Sequence, residues 1–323
     1  MKNNNHSPLT IHHSPFTTLV TGGAGFIGSH IARKLVSLGH QVIVLDNLCE
    51  GNLKNIKDFK NKIRFLKEDI LNLKALQKIF KGVDFVFHEA ALRSVERSVK
   101  NPEETNKVNI EGTLNVLLAA RNNKVKRVIF ASSSSIYGEQ KSKVFKETLC
   151  PNPISPYALS KLTAEFYLKQ FFSLYGLETI SLRYFNVFGP YQDPKNEYAN
   201  VIPIFITKVL KNQPVIIHWD GEQSRDFNYI DNVVEANVLA MKAKKTQGEV
   251  LNVCNGNTYS INFLFKSINK ILGKNMKATY GPKRAGDVRL TLGDPRLAKK
   301  ILGFKAKINF EKGLKKTINW FNA

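Results

Sequence analysis

Tyr157 and Lys161 stand four residues apart in Tyr157-Ala158-Leu159-Ser160-Lys161, on one face if the segment is helical. A phenol beside a fixed ammonium loses its proton more readily, so the pair could serve as a general base near neutrality. Spacing alone does not select it, because Tyr137/Lys141 and Tyr191/Lys195 share it. Context separates the three: Tyr137 runs into Gly138 and the Tyr191 stretch holds Pro194, whereas Tyr157 follows a candidate cap, Ser155, and a helix-opening Pro156. Upstream, Ala131-Ser132-Ser133-Ser134-Ser135 ends an apolar run in hydroxyls, as active sites do at the carboxyl edge of a parallel sheet.

A second chemical feature is Thr21-Gly22-Gly23-Ala24-Gly25-Phe26-Ile27-Gly28, which fits G-x-G-x-x-G through Gly23, Gly25 and Gly28 and a wider frame through Gly22, Gly25 and Gly28. Such glycines turn the chain tightly and let backbone N–H groups at a helix N-terminus approach a pyrophosphate. Asp46 follows at the distance where an acidic side chain accepts from the adenosine ribose hydroxyls. It would repel a 2′-phosphate, and Asn47-Leu48 offers no arginine to receive one, so the cofactor indicated is NAD rather than NADP.

These residues need a scaffold, and the sequence supplies one. Short apolar runs, Phe16–Thr21, Gln41–Asp46, Ile63–Leu66, Val83–His88, Arg127–Ser132 and Glu178–Tyr184, alternate with helical segments Phe26–Leu38, Leu73–Phe80, Glu104–Asn123 and Pro156–Tyr175. That alternation predicts an α/β fold with a doubly wound parallel sheet. Asn72 is a candidate cap for the second helix. Beyond about Phe185, Gly, Pro, Asn and Asp become frequent, which predicts a looser, loop-rich C-terminal part.

Composition narrows the function classes. The 323 residues carry 48 Lys+Arg against 26 Asp+Glu, a net charge of +22, and a 43% hydrophobic fraction that excludes a disordered chain. The charge is spread from Lys54–Lys62 to Lys299–Lys316 without an arm or aromatic stripe, so no nucleic-acid partner is indicated. No apolar run reaches the roughly 18 residues of a membrane span, and the polar stretch 1–16 lacks a signal-peptide core. The reading is a cytoplasmic protein with a flexible tail over 1–16 and no membrane partner. Cys49, Cys150 and Cys254 have no C-x-x-C spacing and the histidines no H-x-x-x-H spacing, so neither disulfide nor metal is indicated.

Taken together, these motifs resemble the extended short-chain dehydrogenase/reductase family, and within it the NAD-dependent nucleotide-sugar 4-epimerases, from about Thr18 to the C-terminus. The resemblance implies a Rossmann domain over 17–185 and about 230–255, with Glu249–Val253 returning to the sheet, and a smaller interleaved substrate domain over 186–229 and 256–323. It implies that Gly22, Gly25, Phe26, Ile27 and Gly28 hold the pyrophosphate, Asp46 and Asn47 the adenosine ribose, and Asp69 and Ile70 the adenine. Ala90, Ala91, Asn109 and Tyr184 join Tyr157 and Lys161 on the cofactor, and Ser133 falls on the catalytic hydroxyl. A UDP-sugar would meet Arg93, Ser133, Ser134, Asn186, Asn200, Val201, Arg225, Arg284, Asp287 and Thr291. A homodimer through Glu104–Asn123 and Pro156–Tyr175 is a further implication.

The resemblance also bears on the reaction. Related dehydratases and decarboxylases carry an acid just before the equivalent of Tyr137, where this chain has Ser134, Ser135 and Ile136. Simple C4 epimerisation of a UDP-hexose therefore fits best. Ala91–Ser98 and Ser224–Phe227 look most like the group acting on UDP-N-acetylhexosamines, and the small Thr291 would leave room for a 2-acetamido group. UDP-glucose/UDP-galactose, a UDP-glucuronate 4-epimerase, a dehydratase or decarboxylase, and a catalytically silent binding module remain open at this point.

Overall fold

A computed structural model describes residues 15–194, 200–284 and 287–323. Nearly all of the tail, Lys195, and Ala285-Gly286 between Arg284 and Asp287 thus lie outside the described residues. Phe16, counted with the tail, packs edge-on against Phe85 with ring centroids 5.1 Å apart.

The apolar runs form strands Thr17–Thr21 (β1), Gln41–Leu45 (β2), Arg64–Leu66 (β3), Phe85–His88 (β4), Arg127–Ser133 (β5) and Glu178–Tyr184 (β6). They join Glu249–Val253 in one parallel sheet ordered β3-β2-β1-β4-β5-β6 and then Glu249–Val253. Neighbouring side chains on a strand point to opposite faces. Accordingly Leu19, Val86 and Val128 enter one core and Val20, Phe87 and Ile129 the other. Both faces are covered, which is why these strands read as continuous apolar runs.

The register decides where the chemistry gathers. Thr21 pairs with Leu45 and with His88, and Ser133 pairs with Tyr184. The glycine loop, Asp46, Glu89, Ser133 and Tyr184 therefore share one sheet edge. The strand order reverses between β1 and β4, so that edge opens a crevice suited to a ligand.

Helices follow the local signals. Phe26–Ser37 (α1) starts at Gly25, which has no side chain to cap the N-terminus. In Pro156–Tyr175, Ser155 accepts from the Ala158 N–H and Gly176 closes the helix at φ +70°. Asn72 accepts from the Ala75 N–H and so caps Leu73–Ile79. The segment read as one helix, Glu104–Asn123, instead runs from Pro102, widens to a π turn over Lys107–Glu111 and resumes at Gly112–Asn122. One extra residue in that turn shifts its side chains relative to a regular helix.

The C-terminal part is more ordered than its composition suggested. Helices Val201–Leu210, Ile230–Lys242, Ile261–Leu272, Arg296–Leu302 and Phe310–Phe321 pack on buried aromatics such as Phe188, Phe227 and Phe310. The Gly, Pro, Asn and Asp residues fall in turns between short elements. Among these, Ser224–Arg225 pairs with both Tyr259–Ser260 and Leu290–Thr291. No helix among the described residues is long and apolar enough to cross a membrane.

Candidate active site

A cavity of about 450 Å³ lies along the crevice at the sheet edge. At one end the glycine loop is packed so tightly that side chains are excluded. Gly22 has φ +65°, and a Cβ there would stand 2.7 Å from the Ala90 nitrogen; a Cβ on Gly28 would stand 2.3 Å from the Gly22 carbonyl oxygen. Gly22, Gly25, Phe26, Ile27 and Gly28 line the cavity, and the uncapped α1 N-terminus faces the same loop. Backbone donors and positive helix dipole at that point suit a diphosphate.

Asp46 is nearly buried beside this loop. Its Oδ2 accepts from the Ala24 N–H at 3.0 Å and its Oδ1 from the Leu48 N–H at 2.8 Å, so it braces the loop while lining the cavity. Burial pushes its carboxyl up, against these two bonds. Asn47 donates to Asp69 Oδ2 at 2.8 Å and Asp69 Oδ1 accepts from the Leu71 N–H, placing Asp69 and Ile70 on the wall. Ala90 and Ala91 line the neighbouring loop, where Arg93 pairs with Glu50 at 3.3 Å.

The central group is assembled from β5 and the helix Pro156–Tyr175. Ser133 ends β5, and its hydroxyl accepts from the Ser135 N–H at 3.1 Å, which turns Ser134 onto the wall. Tyr157, in the first helical turn, and Lys161, one turn later, line the same space. The Lys161 ammonium donates to the Ala131 carbonyl at 2.8 Å and lies over the Phe130 ring at 4.7 Å. Burial lowers its pKa to about 8, with Glu89 and Glu165 opposing.

The protonation of Tyr157 corrects the sequence expectation. Its phenol is pushed up rather than down: burial dominates, with the Ser133 hydroxyl and Arg93 opposing it and Glu89 and Glu50 adding to it. Lys161 is spent on the β5 backbone and does not offset that burial.

On the opposite wall, Asn186 donates to the Thr291 hydroxyl at 3.1 Å, and Arg225 forms an ion pair with Asp287. Asn186, Asn200, Arg225, Asp287 and Thr291 all line the cavity, as does Tyr184. Three expected residues lie outside the lining. Asn109, in the π turn, accepts from the Leu92 N–H at 2.8 Å and donates to the Leu92 carbonyl at 3.0 Å and the Ser160 hydroxyl at 3.0 Å, holding the loop from behind. Arg284 is exposed and bonds the His218 ring at 3.0 Å, outside the cavity. Val201 starts its helix behind Asn200.

Residues 18–254 match the model of the NAD dependent epimerase/dehydratase family. The chain belongs to that family. Its cofactor is accordingly NAD, and the residues present fit it: a cradle closed to any side chain, free N–H groups at a helix start, and an acidic residue where a ribose would lie. Among family members of known structure, a UDP-glucose 4-epimerase of Thermotoga maritima with UDP-glucose is 41% identical, with a TM-score of 0.91 over 95% of this chain and 99% of that one. A UDP-N-acetylglucosamine 4-epimerase of Methanobrevibacter ruminantium, in complex with UDP-N-acetylmuramic acid, is 40% identical, with a TM-score of 0.92 over 96% and 99%. A UDP-glucose 4-epimerase of Mycolicibacterium smegmatis is 37% identical over 94% of this chain and 98% of its own.

Three carboxylates of this site were not among the candidate site residues. Glu89 accepts from the Tyr184 phenol at 2.9 Å inside the cavity. Glu50 ties Arg93 to Arg97 across the loop after β2. Glu165 clasps Arg183 beneath the central group, with both side chains 4% exposed. Partners 95, 43 and 18 residues away gave no local signal for any of them.

Proposed function

We propose that this protein inverts C4 of a UDP-hexose reversibly, with UDP-GlcNAc and UDP-GalNAc as the preferred pair. The observation that carries the reading is one continuous cavity. The glycine cradle and Asp46 stand at one end, Ser133, Tyr157 and Lys161 in the middle, and Arg225, Asn186, Asn200 and Thr291 opposite.

NAD, when bound, supplies hydride acceptance and return together with a cationic ring. Tyr157 takes the C4 hydroxyl proton and later gives it back, while Ser133 orients that hydroxyl. Lys161 holds the end of β5 in place, one helical turn from Tyr157. Arg225, whose guanidinium suits phosphate geometry, holds the diphosphate while the 4-keto sugar turns to present its other face. Burial pushes the Tyr157 phenol up, and the positive charge of a bound nicotinamide ring would act in the opposite sense.

Two observations favour epimerisation over elimination or decarboxylation. Positions 134–136 offer Ser134, Ser135 and Ile136, with Ile136 fully buried, and no acid aimed from that segment. The Glu89 carboxyl comes instead from the edge of β4 and is held by Tyr184. For the acetamido preference, the small Thr291 borders the space beside Asn186. We further assign 17–185 with about 230–255 to the cofactor and 186–229 with 256–323 to the sugar nucleotide. Leu159 and Phe166, 53% and 59% exposed on the helix Pro156–Tyr175, would pair two chains, which sedimentation would show as a dimer.

Incubating the purified protein with UDP-GlcNAc, UDP-Glc and UDP-glucuronate and resolving products by NMR tests the function. Conversion of UDP-GlcNAc to its C4 epimer without net NADH supports it. A released keto or deoxy product, or no conversion of any sugar, would refute it.

A further inference from the structure

Lys161 creates an electrostatic demand in the middle of the cavity. The residue is 3% exposed, and its ammonium donates to the Ala131 carbonyl. The oxidised dinucleotide brings a positively charged nicotinamide ring to the same cavity, whereas the reduced ring is neutral. Two cations sharing a site of low dielectric repel each other unless a carboxylate stands between or beside them.

Glu165 cannot supply that charge. One turn beyond Lys161, it is already taken by Arg183, through Nε at 2.9 Å and Nη2 at 2.7 Å, and by the Ser132 hydroxyl. Glu89 is differently placed. Its backbone N–H is tied to the Thr21 carbonyl at 3.2 Å, and its Oε1 accepts from the Tyr184 phenol at 2.9 Å, which Asn237 in turn holds at 2.8 Å. Among the described residues no hydrogen bond reaches its Oε2 and no cationic side chain is bonded to it. It lines the cavity together with Tyr157, Lys161 and Tyr184. A neutral phenol therefore fixes the carboxyl without cancelling its charge.

We propose that the Glu89 carboxylate is the counter-charge that makes this cavity bind the oxidised dinucleotide in preference to the reduced one. The proposal rests on the family's cofactor and not on the identity of the sugar. Its consequence is mechanistic: in a reaction of zero net redox, a pocket that favours the cationic ring drives the hydride back to the sugar and opposes release of a keto product. Burial lifts the carboxyl to about 7 while Lys161 and the Tyr184 bond pull it down, so a second nearby cation keeps it ionised.

The test equilibrates the full-length protein with mixtures of NAD⁺ and NADH at known ratios, then extracts and quantifies the bound dinucleotides. The wild type should hold a larger share of NAD⁺ than the solution does. Glu89→Gln, which keeps an acceptor for Tyr184 but no charge, should lose about tenfold of that enrichment. Tyr184→Phe, measured at pH 8.5 so that Glu89 stays ionised without the phenol bond, loses only the tether and should retain most of it. Unchanged enrichment in Glu89→Gln overturns the proposal, as does an equal loss in Tyr184→Phe, which would assign the effect to packing. Should Glu89→Gln hold neither form, Glu89→Asp decides: binding with enrichment supports the proposal and binding without it overturns it. A wild type that binds both forms equally overturns the proposal alone, and one that binds neither overturns the cofactor assignment with it.

Discussion

Replacing Glu165 by Gln should destabilise the protein more than any surface charge change would. Glu165 and Arg183 are each 4% exposed, joined through two guanidinium nitrogens at 2.9 and 2.7 Å, and the Arg183 guanidinium lies 4.7 Å from the Tyr137 ring centroid. Removing one partner strands a buried charge, which costs about 3–5 kcal/mol. At an unfolding entropy of roughly 2 cal/mol/K per residue, a chain of this length loses about 0.7 kcal/mol per degree, so Tm should fall by about 4–7 °C. Calorimetry on the holoprotein measures this. Removing both charges together, as Glu165→Met with Arg183→Met, should recover at least half of the loss, because the stranded charge disappears. A drop below about 1 °C in Glu165→Gln, or a double variant at least as unstable as the sum of its singles, would refute the reasoning.

Three further outcomes follow from the site. Gly22→Ala should keep far-ultraviolet dichroism but lose at least about tenfold in retained NAD, since φ +65° and a Cβ 2.7 Å from the Ala90 nitrogen both oppose it; undiminished NAD content would contradict the cradle. Thr291→Tyr should abolish turnover of UDP-GlcNAc while sparing UDP-Glc, and parallel losses on both sugars would count against the acetamido reading. Burial holds His88 neutral down to about 3 and His30 down to about 4, so the unfolded chain binds more protons there and each costs about 1.4 kcal/mol of stability per pH unit as pH falls from 6.5. Glu89 and Asp226, both lifted to about 7, act in the opposite sense, so the readout is a difference. Denaturant midpoints should fall less steeply with acid in His88→Gln than in the wild type, and equal slopes would refute the assignment.

What could be read from the residues was whatever had a local signature. The glycine loop between strand and helix, the capped start before Tyr157 and the strand alternation each depend on near neighbours, and the structure places them together. The C-terminal part was underestimated because its strands are two to four residues long and its helices are buried by contacts from distant segments. Asn109 lies in a π turn and is bonded to the Leu92 backbone, 17 residues away, which no pattern of residue types announces. The protonation of Tyr157 went the other way from its spacing because burial, a property of the whole fold, outweighs a nearby lysine whose ammonium faces β5. The bond between Glu89 and Tyr184 was not legible, since Tyr184 arrives from another strand.

The central claim is that hydride leaves C4 and returns to C4 within one occupied site. Turning over UDP-GlcNAc that carries deuterium at C4, and following the epimer by NMR, tests this directly. Deuterium should stay at C4 of the product in the wild type, and Tyr157→Phe should form little product while still binding UDP. Loss of the label to solvent during epimerisation, or product formed at the wild-type rate by Tyr157→Phe, would contradict it.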